Sequence, residues 1–195
     1  MASLKHLLDS NKTVRAVGFD DTPHRRGQSE SVGLAGVVCR NTRFDGMVWG
    51  SVEPDGWDAG DVVARTLEDG KFLEQLDLVL LDGIAFGGFN VIDLPGLADR
   101  LGKPCATVMR RRPDFDAIEA ALQNLDRWEK RRARMERAGP IHDAGEIFCQ
   151  IQGGSTATVI RAIERLTYRG HIPEPVRIAH LVASAVATGE SGRRA

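Results

Sequence analysis

The chain has 195 residues, of which 42% are hydrophobic and 27% are charged, and its formal net charge is −1. These values are typical of a globular protein and predict a single domain, residues 1–195, with a sizeable core. The near-neutral charge excludes nucleic-acid binding through overall charge alone, and no apolar run approaches the length of a membrane span. The first residues lack the apolar stretch of a signal peptide, and the three cysteines are odd in number and widely separated. We therefore expect no membrane association, no disulfide framework and a location in the reducing cytoplasm.

The first half of the chain combines strand patterns with one helical stripe. Two apolar or alternating runs separated by a short polar turn predict a hairpin, and the apolar run before them adds a third strand, so that the three form a meander. A long polar loop is expected at 22–30. In chain order, the predicted elements are a helix over residues 3–8, strands over 14–19, 32–39 and 44–52, a helix over 59–67 and a strand over 76–81.

The second half alternates helices with strands. Gly102 and Gly170 are typical glycines at helix C-termini, and Ser155 is a typical N-cap. The predicted elements are a helix over 94–101, a strand over 105–109, a long helix over 114–137, a strand over 147–152, a helix between Ser155 and Gly170, a last helix over 173–188 and a polar tail. A meander followed by this alternation predicts an α/β fold of ribonuclease H-like order, a mixed sheet with helices on both faces.

Two aspartates stand at the ends of predicted strands, Asp20 and Asp82. Open α/β sheets bind ligands at the carboxyl ends of their strands, so two neighbouring strands would bring these carboxylates together. Paired carboxylates suit a hard cation such as magnesium. Because Asp-Asp and Asp-Gly are ordinary turn pairs, each acid alone is also explained as the start of a turn. Asp21 points to the opposite face and is expected to be a turn residue or to contact a metal ligand.

Basic residues outnumber acidic ones between Arg100 and Arg137. They include the triplet Arg110, Arg111 and Arg112 and a run at 130–134, a stripe that suits a phosphate backbone. The alternative for the second run is a solvated helix face whose cations lie near a helix C-terminus.

Three ordered blocks of this sequence resemble endonuclease V. They are an apolar strand ending in Asp-Gly at 79–85, a strand at 101–110, and a helix start with Pro-Glu-Pro and Ala-His at 172–180. A narrower resemblance rests on Asp-Gly-x-x-Phe-x-Gly-Phe-Asn at 82–90 and Asp-Gly-x-Asp-Ala at 55–59. By these two motifs the chain resembles a largely archaeal family of domains of unknown function, number ninety-nine in that series. This family is regarded as related to endonuclease V.

The resemblance to endonuclease V implies a nuclease that depends on magnesium, or on manganese, and hydrolyses phosphodiester bonds in DNA or RNA. It implies that Asp20 and Asp82 are metal ligands and that His180 is the active-site histidine. Arg110 stands where that family has a lysine near the scissile phosphate, which keeps the positive charge but changes its shape.

One departure from endonuclease V concerns damage recognition. The stretch at 52–56 stands where that family inserts a Pro-Tyr-Ile-Pro wedge, and it lacks the aromatic residue. Trp49 and Trp57 flank the stretch, and either ring is of the kind on which a base stacks. Trp57 and the triplet at 110–112 are the predicted nucleic-acid contacts.

Two further departures concern catalysis. The catalytic glutamate of endonuclease V has no counterpart, since the ungapped position is Val62, and Asp61 or Asp58 is the predicted replacement on the same helical turn. The glycine-rich segment at 87–90 replaces a His-Pro-Arg segment that contacts phosphate in that family.

Three function classes follow. The first is a metal-dependent endonuclease, favoured by Asp20, Asp82 and His180. The second is a binding module for nucleic acid or a protein partner that keeps the fold without catalysis, favoured by the altered wedge and glutamate. The third is a phosphohydrolase acting on a small phosphorylated metabolite, which the mixed surface charge leaves open.

Overall fold

The computed structural model describes residues 3–25, 27 and 30–191, so parts of the predicted polar loop and polar tail lie outside the described residues. The strands of the described chain are β1 (Arg15–Asp21), β2 (Val32–Arg40), β3 (Arg43–Val52), β4 (Leu78–Asp82), β5 (Ala85–Phe86), β6 (Asn90–Val91), β7 (Cys105–Val108), β8 (His142–Asp143), β9 (Phe148–Cys149) and β10 (Ile151–Gln152). Its helices are α1 (Leu4–Asp9), α2 (Ala59–Glu68), α3 (Leu94–Leu101), α4 (Phe115–Leu122), α5 (Trp128–Arg137), α6 (Thr156–Leu166) and α7 (Glu174–Thr188), with a 3-10 helix at Leu73–Gln75. Across the same residues, no helix has the length and apolar character that a membrane crossing requires.

Six strands form the central sheet, in the order β10-β7-β4-β1-β2-β3. Neighbours within β1, β2 and β3 are antiparallel, β4 runs parallel to β1, β7 runs parallel to β4, and β10 is antiparallel to β7. The predicted meander followed by alternating strands and helices is therefore confirmed. Because β1 and β4 are parallel neighbours, their carboxyl ends lie at the same edge of the sheet.

Helices cover both faces of this sheet, as the sequence predicts. Successive residues of a strand point to opposite faces, so each central strand is apolar on both sides. Val17 and Phe19 of β1 are buried with α2 and α3 on one face. Ala16 of β1 and Leu80 of β4 are buried on the other face with α1, α6 and α7. The carboxyl ends of β1 and β4, with their charged side chains, lie at the edge of the sheet between these two apolar layers.

Helix α7 approaches β1 so closely at Gly18 that no side chain would fit at this position. A Cβ added to Gly18 would lie 2.3 Å from the backbone nitrogen of Val176 and 2.4 Å from the carbonyl carbon of Pro175. A glycine inside a strand commonly marks such a close approach of another backbone. The first turn of α7 therefore rests directly on β1, and its next turn lies above the end of that strand.

The long helix predicted at 114–137 is wrong, because the structure divides it into α4 and α5. Between them, Arg127 has a φ of 49°, in the left-handed region that a continuous right-handed helix cannot contain. The polar residues Asn124 and Asp126 precede this turn, and both side-chain types favour turns over helix interiors. The turn changes the direction of the chain and sets the basic helix α5 against the loops that follow β3 and β4.

The strand predicted at 147–152 is also interrupted. Gln150 separates β9 from β10, and its backbone N–H donates to the Thr107 hydroxyl at 2.9 Å instead of continuing one ladder. The short β9 pairs with β8, whereas β10 pairs with β7.

Candidate metal centre

Two strand ends and one helix bring three potential metal ligands together. Asp20 is the penultimate residue of β1, Asp82 is the last residue of β4, and His180 lies in the second turn of α7. One ligand atom from each side chain lies within 4.8 Å of the other two. The structure therefore groups the three residues that the endonuclease V resemblance points to.

The contact between His180 and Asp20 follows from the close packing at Gly18. Nδ1 of His180 lies 2.7 Å from Oδ2 of Asp20. Gly18 and Asp20 share one face of β1, and Val176 and His180 are one helical turn apart, so the approach of Val176 to Gly18 sets the imidazole above the carboxylate. Oδ1 of Asp20 accepts the backbone N–H of Asp21 at 2.9 Å, so both oxygens are held.

Negative charge is concentrated at this edge. Asp20 is buried, with 6% of its surface exposed, and its pKa is raised to about 8. Burial is the largest cause, and the carboxylates of Asp82 and Asp21 add to it, while the Asp21 backbone N–H and Arg110 act in the opposite direction. A cation between the carboxylates would relieve this repulsion, which is why such clusters are typical of cation sites.

The donor set fits a magnesium or manganese ion. Magnesium prefers oxygen ligands at about 2.1 Å, so two ligands of one ion lie at most about 4.2 Å apart. The separations of up to 4.8 Å among the ligand atoms of Asp20, Asp82 and His180 come within a small side-chain rotation of that distance. The carboxylates of Asp20 and Asp82 are the oxygen donors, and the imidazole of His180 lies beside them, with Nδ1 on Asp20.

Of the arginine triplet, Arg110 reaches the cluster. Its Nη1 lies 3.0 Å and 3.2 Å from the two carboxylate oxygens of Asp82. The Arg110 side chain is 42% exposed, so its guanidinium also faces solvent. Arg111 and Arg112 are exposed in the loop after β7, and neither forms an ion pair with any carboxylate among the described residues.

Asp58 and Asp61 are not part of the cluster, so the convergence expected for one of them is not found. Oδ1 of Asp58 accepts the side-chain amide of Asn90 at 2.6 Å, and Asp61 pairs with Arg100 at 2.8 Å on an exposed surface. Both acids belong to the start of α2, whose buried stripe packs on the opposite face of the sheet from α7. Whether either acid takes part in catalysis stays a prediction.

The glycine-rich segment at 87–90 is held by hydrogen bonds on both sides. The Gly87 N–H donates to Oδ2 of Asp21 at 2.8 Å, and the Phe89 N–H donates to Oδ1 of Asp55 at 2.8 Å. Asp21 points away from Asp20 to the other face, and burial is the largest cause of its raised pKa. Asp21 therefore links the end of β1 to this segment.

Arg131 joins the same segment to α5, and we call this contact region the Arg131 junction. Its guanidinium donates to the carbonyl oxygens of Asp55, Gly56 and Phe89, and the side chain is 1% exposed. Trp57 lies against it, with its ring centre 4.4 Å from the Arg131 guanidinium carbon and 4.7 Å from that of Arg134. The ring predicted to meet nucleic acid is thus already in contact with two cations of the protein.

Sequence reasoning missed two residues on which this arrangement depends. Gly18 carries a signal, since a glycine in the middle of an apolar strand indicates close backbone contact. Arg131 carries none, because it lies in a run of basic residues that resembles a solvated helix face, and only the turn at Arg127 makes it point inward.

Comparison with known proteins identifies the family. The sequence model of the family described as endonuclease dU matches residues 12–187. The chain belongs to the endonuclease dU family. Similar proteins include the UPF0215 protein of Methanopyrus kandleri, which is 36% identical to this chain over 95% of this chain and 97% of its own length. The UPF0215 protein of Archaeoglobus fulgidus is 35% identical over 94% of this chain and 99% of its own length.

Solved structures confirm the ribonuclease H-like fold of this endonuclease dU family member. A protein of unknown function from Archaeoglobus fulgidus superposes with a TM-score of 0.85 at 35% identity, covering 90% of this chain and 99% of that one. The catalytic domain of human endonuclease V gives a TM-score of 0.60 at 14% identity, covering 94% and 86%. Endonuclease V of Ciona intestinalis, in complex with DNA containing inosine followed by a ribo-adenosine, gives 0.56 at 15% identity, covering 90% and 91%. The predicted kinship with endonuclease V therefore holds at the level of the fold.

Proposed function

We propose that this protein is an endonuclease that depends on a divalent metal and hydrolyses a phosphodiester bond of DNA at deoxyuridine. The observation that carries the proposal is the meeting of Asp20, Asp82 and His180 at the carboxyl edge of β1 and β4. The base follows from the description of the endonuclease dU family, whose sequence model matches residues 12–187. The fold is also that of the endonuclease V structures.

Asp20 and Asp82 would hold magnesium or manganese. When bound, such an ion activates water and neutralises the charge that develops on the phosphodiester. The raised pKa of Asp20 means that its carboxyl group must release a proton to become an anionic ligand near neutral pH. Nδ1 of His180 lies 2.7 Å from Asp20, so its imidazole is the hydrogen-bonding neighbour of that carboxyl group.

The imidazole of His180 has a second role in this proposal. One nitrogen is held by Asp20, which fixes the orientation of the ring and leaves Nε2 for a reacting group. The His180 side chain is 27% exposed, so a substrate can reach it. His180 therefore acts as a general acid or base near neutral pH.

Arg110 would contact the scissile phosphate. Its guanidinium lies beside Asp82 and is partly exposed, so it can exchange the carboxylate for a phosphate oxygen without first leaving a buried site. Arg111 and Arg112 extend the positive charge along the bound strand.

A second candidate is a nucleic-acid-binding module without catalysis. The observation in its favour is that the described residues form the cluster from two carboxylates and a histidine, while Asp58 and Asp61 engage Asn90 and Arg100. Nucleases of this type commonly use several carboxylates around their metals. A module of this kind would bind the same DNA and leave it intact.

A cleavage assay separates these functions. Single- and double-stranded DNA containing deoxyuridine, thymidine or inosine at one position, and the matching RNA, are incubated with magnesium or manganese. We expect cleavage at deoxyuridine that Asp82→Asn lowers by about a hundredfold or more, because the metal and its charge neutralisation are lost. Asp99→Asn, an exposed carboxylate of α3, is the matched control and should leave the rate unchanged.

Other outcomes of this assay point elsewhere. Metal-independent cleavage, or equal rates in Asp82→Asn and Asp99→Asn, would contradict the proposed metal centre. Tight, salt-sensitive binding without cleavage would establish the binding module instead. Hydrolysis of small phosphate esters without action on any polymer would establish a phosphohydrolase.

A further inference from the structure

The three tryptophans of this chain have different environments. Trp57 is in contact with the guanidinium groups of Arg131 and Arg134. Trp128 packs against the apolar cluster that contains Leu122 and Met135. Trp49 remains 41% exposed on β3, with no cation over its ring among the described residues. Trp49 is therefore the tryptophan whose ring is available to a ligand.

The sheet places Trp49 in line with the candidate metal centre. Asp20 of β1 pairs with Ala35 of β2, and Ala35 pairs with Trp49 of β3. Residues paired in this way point to the same face, so the indole lies on the face that carries α7 and His180. Two strand spacings separate Trp49 from Asp20, which is about 10 Å. Ala35 lies between them, and its small side chain does not fill the space between Asp20 and Trp49.

The indole also leans toward the end of the sheet at which the metal centre lies. A Cβ added to Gly33 would lie 2.6 Å from Cζ2 of Trp49 and 2.9 Å from the methyl carbon of Thr22, which directly follows β1. The ring therefore occupies the space that the absent side chain of Gly33 leaves. Because Gly33 comes before Ala35 in β2, and β2 is antiparallel to β1, this direction is toward the carboxyl end of β1.

The groups along this edge follow an order that suits a nucleic-acid strand. Trp49 on β3 lies on one side of Asp20 and Asp82, and Arg110, after β7, lies on the other side. Helix α7 packs on β1 and β2 and leaves the outer face of β3 uncovered at Trp49 and Met47, each 41% exposed. A strand that crosses the edge with its phosphate near Arg110 and Asp82 would bring a base farther along the strand over β3.

We propose that Trp49 is the surface on which a nucleobase of the bound strand stacks beside the metal centre. This inference rests on the proposed function, since it takes the ligand to be DNA. An indole ring stacks on any base, so Trp49 contributes affinity and position, not recognition of deoxyuridine itself.

Binding without cleavage tests the inference directly. A single-stranded oligonucleotide containing deoxyuridine is titrated in EDTA against wild type, Trp49→Ala and Trp49→Phe. Loss of one stacking contact should raise the Kd of Trp49→Ala by roughly 5- to 150-fold, whereas the ring retained in Trp49→Phe should keep the Kd near that of wild type. The protein with Trp57→Phe and Trp128→Phe reports on Trp49 alone, and its fluorescence should be quenched on binding. The difference in quenching between wild type and Trp49→Phe gives the same signal without those two substitutions.

Three results would overturn the inference: an equal Kd for wild type and Trp49→Ala, binding without quenching of Trp49, or no binding of the oligonucleotide at all. A change of oligomeric state in Trp49→Ala at unchanged Kd would likewise overturn it, because Trp49 would then serve a contact between protein copies. Failure of the proposed nuclease is a separate result. Binding with quenching but without cleavage in magnesium would support stacking on Trp49 and contradict the nuclease activity. Cleavage together with an unchanged Kd in Trp49→Ala would support the nuclease activity and contradict stacking on Trp49.

Discussion

The candidate metal centre and the Arg131 junction lie on either side of Asp21, and they differ in whether their charged groups have partners within the protein. At the junction, the Arg131 guanidinium is fully engaged by carbonyl oxygens of the loops. At the metal centre, Asp20 is buried among like charges and carries a raised pKa. The first region is complete without a ligand, and the second is electrostatically relieved by one. Basic or acidic character alone therefore does not distinguish structure from function in this chain.

The largest effect on stability is expected at the junction. Arg131→Met would remove the donor from the buried carbonyl group of Gly56 and from the partly buried ones of Asp55 and Phe89, at a cost of about 3–5 kcal/mol in the free energy of unfolding. Arg132→Met, at an exposed neighbour paired with Glu119 and Glu136, is the control and should leave the free energy of unfolding nearly unchanged. Denaturant unfolding measures both. If the two variants lose equal stability, the junction is not the structural element described here.

The second effect tests how the metal centre is held. Gly18→Ala places a methyl group against the backbone of α7, and we expect a loss of about 1–3 kcal/mol together with weaker magnesium binding, because His180 moves away from Asp20. Gly60→Ala is the control, since its new Cβ would meet only Ile92 at 3.8 Å, and in a helix it should stabilise by about 0.5–1 kcal/mol. Thermal unfolding and magnesium titration measure the pair. If folded Gly18→Ala binds magnesium as tightly as wild type, the contact between α7 and Gly18 does not position the candidate metal centre.

The third effect concerns pH. The pKa of Asp20 is about 8 in the folded protein, against an ordinary value of 3.8 for an aspartate in the unfolded chain, so between these values the folded state binds the additional proton. The free energy of unfolding of the metal-free protein should therefore fall as pH rises through this window, with a slope of up to about 1.4 kcal/mol per pH unit from this group. Asp20→Asn should reduce the slope, and stabilisation by magnesium should be larger at the upper end of the window than at the lower end. Unfolding in EDTA and in magnesium across this range checks both statements, and a slope that Asp20→Asn leaves unchanged would contradict them.

The smallest effect on stability is expected at Arg110. Its ion pair with Asp82 is partly exposed, so Arg110→Ala should change the free energy of unfolding by less than about 1 kcal/mol. Under the proposed function the same change should weaken binding of DNA and reduce its dependence on salt, because one phosphate contact is lost. Arg40→Ala, which removes another partly exposed ion pair far along β2, is the control for both measurements. A large loss of stability with unchanged DNA binding would assign Arg110 to the fold alone.

The sequence predicts those parts of the fold that depend on local patterns. The meander, the helix ending at Gly102 and the N-cap at Ser155 all follow from periodicity and capping residues, and the structure confirms them. The sequence does not predict the break at Arg127, because Asn124 and Asp126 are tolerated in a helix although they favour a turn, and tertiary contacts decide between the two. Local patterns therefore account for the meander and the helix ends, and packing accounts for the break between α4 and α5.

The candidate site divides in the same way. Asp20 and Asp82 could be predicted to meet, because a strand period and a parallel pairing fix where strand ends lie. The environment of Asp61 could not be predicted, because its partner Arg100 comes from another helix and the pairing depends on how α2 and α3 pack. Asp61 is a candidate ligand because it stands next to Val62, where the resemblance to endonuclease V expects a glutamate, and the packing of α2 leaves it on the surface.

The contact between His180 and Asp20 joins residues 160 positions apart in the chain. Closing so large a loop costs entropy that the docking of α7 offsets, so we expect the imidazole to join the carboxylates at a late stage of folding. A chain that has formed the meander and β4 already holds both aspartates but not the imidazole. Pulse-labelling hydrogen exchange should accordingly show protection in β2 and β3 before α7.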